Sequence, residues 1–239
     1  MRALADSLIA VILAPLCAAC DTPLDTPTRG PVCEACWSDI RSFTPPVCRH
    51  CGEPLPSRQL SLEHAVCPRC RRAASALTGV SAIGPHEGAL RAIVHALKYG
   101  GRRSIAPRLG ELMRTTAGGV LDDVDVVVPV PLHWRRKQRR GFNQAEDLAR
   151  SVGLPLMKAL KRVRATTSQT DLPAAQRHAN VRGAFRLRWR ARVSGLRVVL
   201  VDDVCTTGAT LEACARVLRE AGAADVQAIT AARVASPRP

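Results

Sequence analysis

The sequence predicts an α/β domain, a mostly parallel sheet flanked by helices, preceded by a small cysteine-rich module. Three observations carry this. Val198–Val201 is an unbroken apolar run, mostly β-branched, the pattern of a strand covered on both faces. It leads through Asp202 and Asp203 and a short loop into a helix predicted over 209–221, the strand–loop–helix order of an open α/β sheet. Eight of the ten cysteines fall within residues 17–70, apart from any such periodicity.

Those eight form four C-x-x-C pairs, Cys17/Cys20, Cys33/Cys36, Cys48/Cys51 and Cys67/Cys70, with spacers of 12, 11 and 15 residues. A C-x-x-C turn aims two thiolates at one tetrahedral ion, and two turns complete a site. The spacing therefore predicts two structural zinc ions. Sequential pairing of the turns is the simpler arrangement, and an interleaved one stays open. A site closed by four thiolates has no position for a substrate, so the metal is structural rather than catalytic. Seven prolines between Pro23 and Pro56 argue against helices and long strands here. With little core of its own, the module draws much of its folding free energy from metal.

The larger domain is expected from Leu77, giving two units, residues 1–76 and 77–239. In order, the sequence predicts a strand over 78–84 and a helix over 89–98, with Leu90, Ile93, Val94 and Leu97 on one face. A second helix follows, capped by Ser104 and reaching about Thr116. A buried strand spans 125–130 and is ended by Pro129 and Pro131. A basic loop, 132–144, precedes a helix over 144–152. A short strand is expected near 154–159. Residues 162–185 contain few periodic apolar positions and read as a flap over a site. An edge strand over 187–193, the central strand and its helix, and a last strand over 226–234 complete the domain. The N-terminus reads as an amphipathic helix using Leu4, Leu8 and Ile12 rather than a signal peptide. With no apolar run long enough to span a bilayer, a cytoplasmic location is expected.

The loop after the central strand carries the chemistry. A helix N-terminus with free N–H groups binds anions. Gly208 lets the backbone come close to a phosphate, and Thr206, Thr207 and Thr210 offer hydroxyl donors. Two carboxylates beside an anion site need another task. Accepting hydrogen bonds from the vicinal hydroxyls of a sugar, or holding hydrated Mg²⁺, meets that need. Charge supports an anionic partner. The net charge is +15, yet residues 135–197 alone hold 17 basic and 3 acidic side chains, a block suited to phosphates, pyrophosphate or nucleic acid. With aromatic residues at 3%, the core must be aliphatic, and no platform for stacking bases is evident.

The string VVLVDDVCTTGATL closely resembles the phosphoribosyl-pyrophosphate loop of type I phosphoribosyltransferases. With the four C-x-x-C pairs, LKYGGR, VPVPLHWRRKQRRGFNQA and the segment from Thr166 to Arg182, the chain is identified as a member of the ComF family of competence-associated proteins. The resemblance implies a type I phosphoribosyltransferase-like fold behind a double zinc ribbon. It implies that Asp202 and Asp203 hold the ribose 2′- and 3′-hydroxyls, as the catalytic pair. Val204, Cys205, Thr206, Thr207, Gly208, Ala209 and Thr210 would form the loop around the 5′-phosphate. Lys98, Arg102 and Arg103 would reach the diphosphate, with Mg²⁺, and Gln169, Arg177 and Asn180 would lie on the flap. Cys205 is read as packing rather than chemistry. The family implies a role in DNA uptake and transformation, with single-stranded DNA and competence-machinery proteins as partners, and names no acceptor. Arg135, Arg136, Arg139 and Arg140 are expected to serve the diphosphate or to contact DNA phosphates. Three functions therefore compete: a transferase using phosphoribosyl pyrophosphate, a non-catalytic nucleotide- or DNA-binding competence factor, and a zinc-ribbon adaptor on an inert scaffold.

Overall fold

The computed structural model describes residues 2–56, 65–72, 75–134, 138, 140–164 and 181–234. Four parallel strands form the main sheet: β1 (Gly79–Pro85), β2 (Val126–Pro129), β5 (Arg197–Cys205) and β6 (Asp225–Arg233), in the order β1-β6-β5-β2. A separate antiparallel pair consists of β3 (Leu160–Arg162) and β4 (Phe185–Leu187). The helices are α1 (Arg2–Leu13), α2 (Glu34–Ser38), α3 (Pro68–Arg72), α4 (Gly88–Tyr99), α5 (Ala106–Ala117), α6 (Gln144–Arg150) and α7 (Ala209–Glu220).

Strand alternation sorts the core into two layers. Val127, Val199, Val201 and Ile229 pack toward the face that holds Leu90, Ile93, Leu97 and Leu109 of α4 and α5. Val128, Val198, Leu200 and Ala228 pack toward Leu211, Cys214 and Leu218 of α7 and Phe185 of β4. Both faces being covered, Val198–Val201 are all at most 1% exposed. Each such aliphatic side chain contributes about 1.5–3 kcal/mol of burial. The four apolar positions expected on α4 are likewise at most 1% exposed.

Several boundaries differ from the expectations, each for a local reason. The central strand does not stop at the acids. It continues to Cys205, because β6 stays beside it while β2 ends opposite Val201. Ser104 caps no helix; Arg103–Ile105 form a 3₁₀ turn that runs into α5, whose first residues include Pro107. The strand expected near 154–159 is a single parallel bridge, Leu156 to Val127, followed by β3. The edge strand expected over 187–193 is instead β4, pairing Phe185 with Arg162 and Leu187 with Leu160. The helix α1 forms, but Asp6 is its inward anchor, accepting from Thr28 N at 2.9 Å and Thr28 Oγ1 at 2.7 Å. Leu4, Leu8 and Ile12 are exposed instead. No helix among the described residues is long and apolar enough to cross a membrane.

The cysteine-rich module lies against the sheet and shares its core. Cys17, Leu24, Val32 and Trp37 belong to the same apolar cluster as α4 and α5. Arg108 of α5 forms a fork on Glu34 at 2.6 and 2.7 Å and stacks over Trp37 at 4.7 Å. The chain at Arg41 crosses β1 so closely that a Cβ on Gly84 would lie 1.9 Å from the Arg41 carbonyl oxygen. Glycine is required there for space.

Candidate functional site

The end of the sheet builds the site. Because β2 stops at Pro129 and β5 runs on, Asp202 and Asp203 project past their neighbour into a cleft of about 340 Å³. Thr206 and Thr210 line it from the loop and α7, Lys98 and Tyr99 from the end of α4, and Val130 to Leu132 from the turn after β2. Arg140 and Arg162 also line it. Lys98 Nζ lies 3.0 Å from Asp203 Oδ1. Asp202 Oδ1 accepts from the Asp203 amide at 2.9 Å. Burial, and next the charge of Asp203, push the Asp202 carboxyl up to about 7, against the opposing pull of that amide, Lys98 and Arg162. His86 stands at the same cleft. Burial first, then Lys98 and Arg91, lower its pKa, against the opposing pull of Asp203.

Gly208 sits at φ +80°, the left-handed N-cap of α7. No atom lies closer than 4.0 Å to a Cβ built there, so the residue is required by backbone conformation rather than by space. The loop has two sides. Thr206 and Thr210 face the cleft, whereas Cys205, Thr207 and Gly208 line a second cavity of about 340 Å³ against His50, Cys51 and Arg69 of the cysteine module. Ala209 is buried. Burial raises the Cys205 thiol pKa, and its sulfur accepts from Arg233 Nη1 at 3.1 Å.

The structure brings Asp202, Asp203, Val204, Thr206, Thr210 and Lys98 to one cleft. It does not bring Arg102 there; that side chain is exposed away from the lining. Arg103 is committed elsewhere, in a fork on Asp147 with both contacts at 2.7 Å. Arg135, Arg136, Arg139, Gln169, Arg177 and Asn180 lie outside the described residues.

Sequence reasoning missed Asn143 and Gln144. Asn143 precedes α6 as a cap would, yet its Nδ2 donates to Val130 O at 3.1 Å and makes no cap. That bond ties the basic loop to the end of β2. Gln144 is 1% exposed. Gln144 Nε2 and Asn143 Oδ1 are buried without a hydrogen-bond partner on the wall of the cleft. Such atoms are costly unless a ligand or an ordered water satisfies them. The available signal was a pair of amides beginning a helix whose apolar positions did not need them.

The cysteines gather as two sets, Cys17, Cys20, Cys33 and Cys36, and Cys48, Cys51, Cys67 and Cys70, with all ligand atoms of a set within 4.8 Å of one another. This is the sequential arrangement. Sulfur–sulfur distances of 3.7 and 3.9 Å fit the edge of a ZnS₄ tetrahedron, about 3.8 Å for a Zn–S bond near 2.3 Å. Amides of Cys33 and Cys67 point at Cys17 and Cys48 sulfurs at 3.3 Å, as thiolates require. The donor set suits zinc.

Two family models match the chain: a double zinc ribbon domain over residues 8–71 and a phosphoribosyl transferase domain over residues 120–239. Similar proteins include the DNA utilization protein YhgH of Salmonella typhimurium, 36% identical and covering 89% of this chain and 94% of that protein. Competence protein F of Haemophilus influenzae is 32% identical over 83% of this chain and 89% of its own length. Competence protein ComFC of Bacillus subtilis is 30% identical, covering 84% of each. The two zinc-site sets, the parallel sheet with its acidic strand end, and these relatives place the chain in the ComF family, a double zinc ribbon joined to a phosphoribosyltransferase domain.

Proposed function

We propose that the cleft binds phosphoribosyl pyrophosphate with Mg²⁺, and that the protein serves DNA uptake, the role suggested by relatives named for competence and DNA utilization. One observation carries the first half: an acidic pair and a phosphate-type loop share a cleft with Lys98, Arg140 and Arg162. The α7 N-terminus and the hydroxyls of Thr206 and Thr210 take the 5′-phosphate. Asp202 and Asp203 accept from the ribose hydroxyls. Lys98, Arg140 and Arg162 face the diphosphate, Gln144 Nε2 offers a donor to it, and Asn143 Oδ1 offers an acceptor to a sugar hydroxyl. Mg²⁺, when bound, neutralises charge on the diphosphate. The acids fit a cation nearby, since the one lysine paired with them contacts Asp203 alone. In transfer, the bond from ribose C1 to pyrophosphate breaks as an acceptor attacks C1; the cationic wall stabilises the departing anion.

Asp202→Asn and Asp203→Asn should each weaken binding of phosphoribosyl pyrophosphate by about 1.5–3 kcal/mol, the loss of a charged hydrogen bond. Gly208→Val should weaken it further, because valine resists φ +80°. Calorimetric titration checks this. Stability should move the other way for Asp202. Its carboxyl titrates at 3.8 when free and near 7 when folded, so folding disfavours its charged form. The wild-type deficit therefore grows as pH rises from about 4 through 7 and is constant above. Asp202→Asn should melt above the wild type at pH 8 in chelator, and the gap should close toward pH 4.

A further inference from the structure

We propose that the foot of the β3–β4 hairpin is a binding surface for single-stranded nucleic acid, with Trp189 as the stacking platform. The assignment rests on the DNA-linked half of the function above and names a surface for it. The low aromatic content argued against any such platform, but placement matters more than number. Trp37 is buried in the core, whereas Trp189 is 82% exposed. It follows β4 in a turn, with the Arg190 guanidinium 4.7 Å from its ring centroid. Arg190 holds φ +151°, a conformation that favours glycine. An arginine kept there at some cost points to a use for its side chain.

The charge around the indole is one-sided. Lys161 and Arg186 stand directly opposite each other in the hairpin, both exposed. Like charges in that position destabilise a strand pair, and a polyanion lying across them reverses the sign. Arg188, Arg190 and Arg192 are also exposed. Among the described residues, Arg186, Arg188, Arg190 and Arg192 make no ion pair, and Lys158 nearby is paired with Glu146. Residues 181–197 contain no acid. Met157, Lys158 and the segment from Arg188 to Arg192 enclose a shallow groove of about 520 Å³. Cations along a groove with an aromatic face inside it is the arrangement that holds single strands, because each base offers a π-face while the arginines take phosphates. A duplex hides those faces. The surface lies on the same hairpin that supplies Arg162 to the cleft.

The test is fluorescence anisotropy of labelled oligothymidylate with the full zinc-loaded chain. Trp189→Ala should weaken binding about 5- to 150-fold, the range for one lost base stack, while Trp189→Phe should keep most of the affinity. Each alanine at Arg188, Arg190 or Arg192 should lower the slope of log affinity against log salt by about 0.7. Melting of Trp189→Ala should match the wild type, as the side chain is exposed, and so should its titration with phosphoribosyl pyrophosphate. Wild-type affinity in Trp189→Ala overturns the surface assignment alone. A wild-type chain that binds no oligonucleotide overturns the DNA half of the function with it. Equal binding of duplex, or of polyglutamate, removes the stacking basis and overturns the proposal.

Discussion

Cys17→Ser and Cys67→Ser should each lower zinc content from about two ions per chain to about one and unfold the surrounding ribbon. Each variant removes one of four thiolates from a closed site whose sulfurs already stand at tetrahedral spacing. Metal binding in such sites supplies folding free energy on the order of 10–16 kcal/mol in small zinc peptides, more than this module can recover from packing. The damage from Cys17→Ser should spread, because Leu24, Val32 and Trp37 belong to the core that also holds α4 and α5. Cys214→Ser is the control: the residue is fully buried in the other core layer and belongs to neither set. Elemental analysis of zinc per chain, with melting curves, checks all three. Two zinc ions retained in both ligand variants would show that other residues hold the metal.

Arg233→Ala should cost about 3–5 kcal/mol, the penalty for stranding one partner of a buried ion pair. The guanidinium is 1% exposed, donates to Glu53 Oε2 at 2.9 and 3.0 Å, and reaches Cys205 at 3.1 Å. It therefore joins three segments: the last strand, the second zinc-binding half of the ribbon, and the start of the loop that leads into α7. Removing it opens a cavity and takes from Glu53 the guanidinium that donates to its carboxylate. Arg233→Met combined with Glu53→Gln should recover most of the loss, since that pair removes both charges and nearly preserves volume. Urea unfolding of the two variants measures this. A loss in Arg233→Ala below about 1 kcal/mol, the ceiling for a surface pair, would contradict the role assigned to it.

Arg233 also shows where sequence reading stopped. The central strand, the amphipathic α4 and the four cysteine pairs were legible because each is a local pattern with one physical solution: a covered strand, a one-faced helix, a tetrahedral site. Positions set by tertiary context were not. Nothing in Ala231-Ala232-Arg233 announces an arginine buried against a glutamate 180 residues earlier. The strand carrying Asp202 runs on only because β6 is longer than β2, a relation between distant segments. In the candidate site, the acids, Lys98, Thr206 and Thr210 were legible through two motifs, whereas Thr207 lines the other cavity. Asn143 and Gln144 were not, because a polar pair at a helix start reads as a cap, and only the fold shows that their amides line the cleft. The division of the loop, with Thr206 turned to one cavity and Thr207 to another, is likewise visible only in the fold.

The most direct measurement is isothermal titration of the zinc-loaded chain with phosphoribosyl pyrophosphate, with and without Mg²⁺, run beside Asp202→Asn and Asp203→Asn. A single site that tightens with Mg²⁺ and weakens about 10- to 150-fold in either variant is the expected result, following from the loss of one charged hydrogen bond. No heat of binding in the wild type, or equal affinity in all three proteins, would contradict the assignment of the cleft.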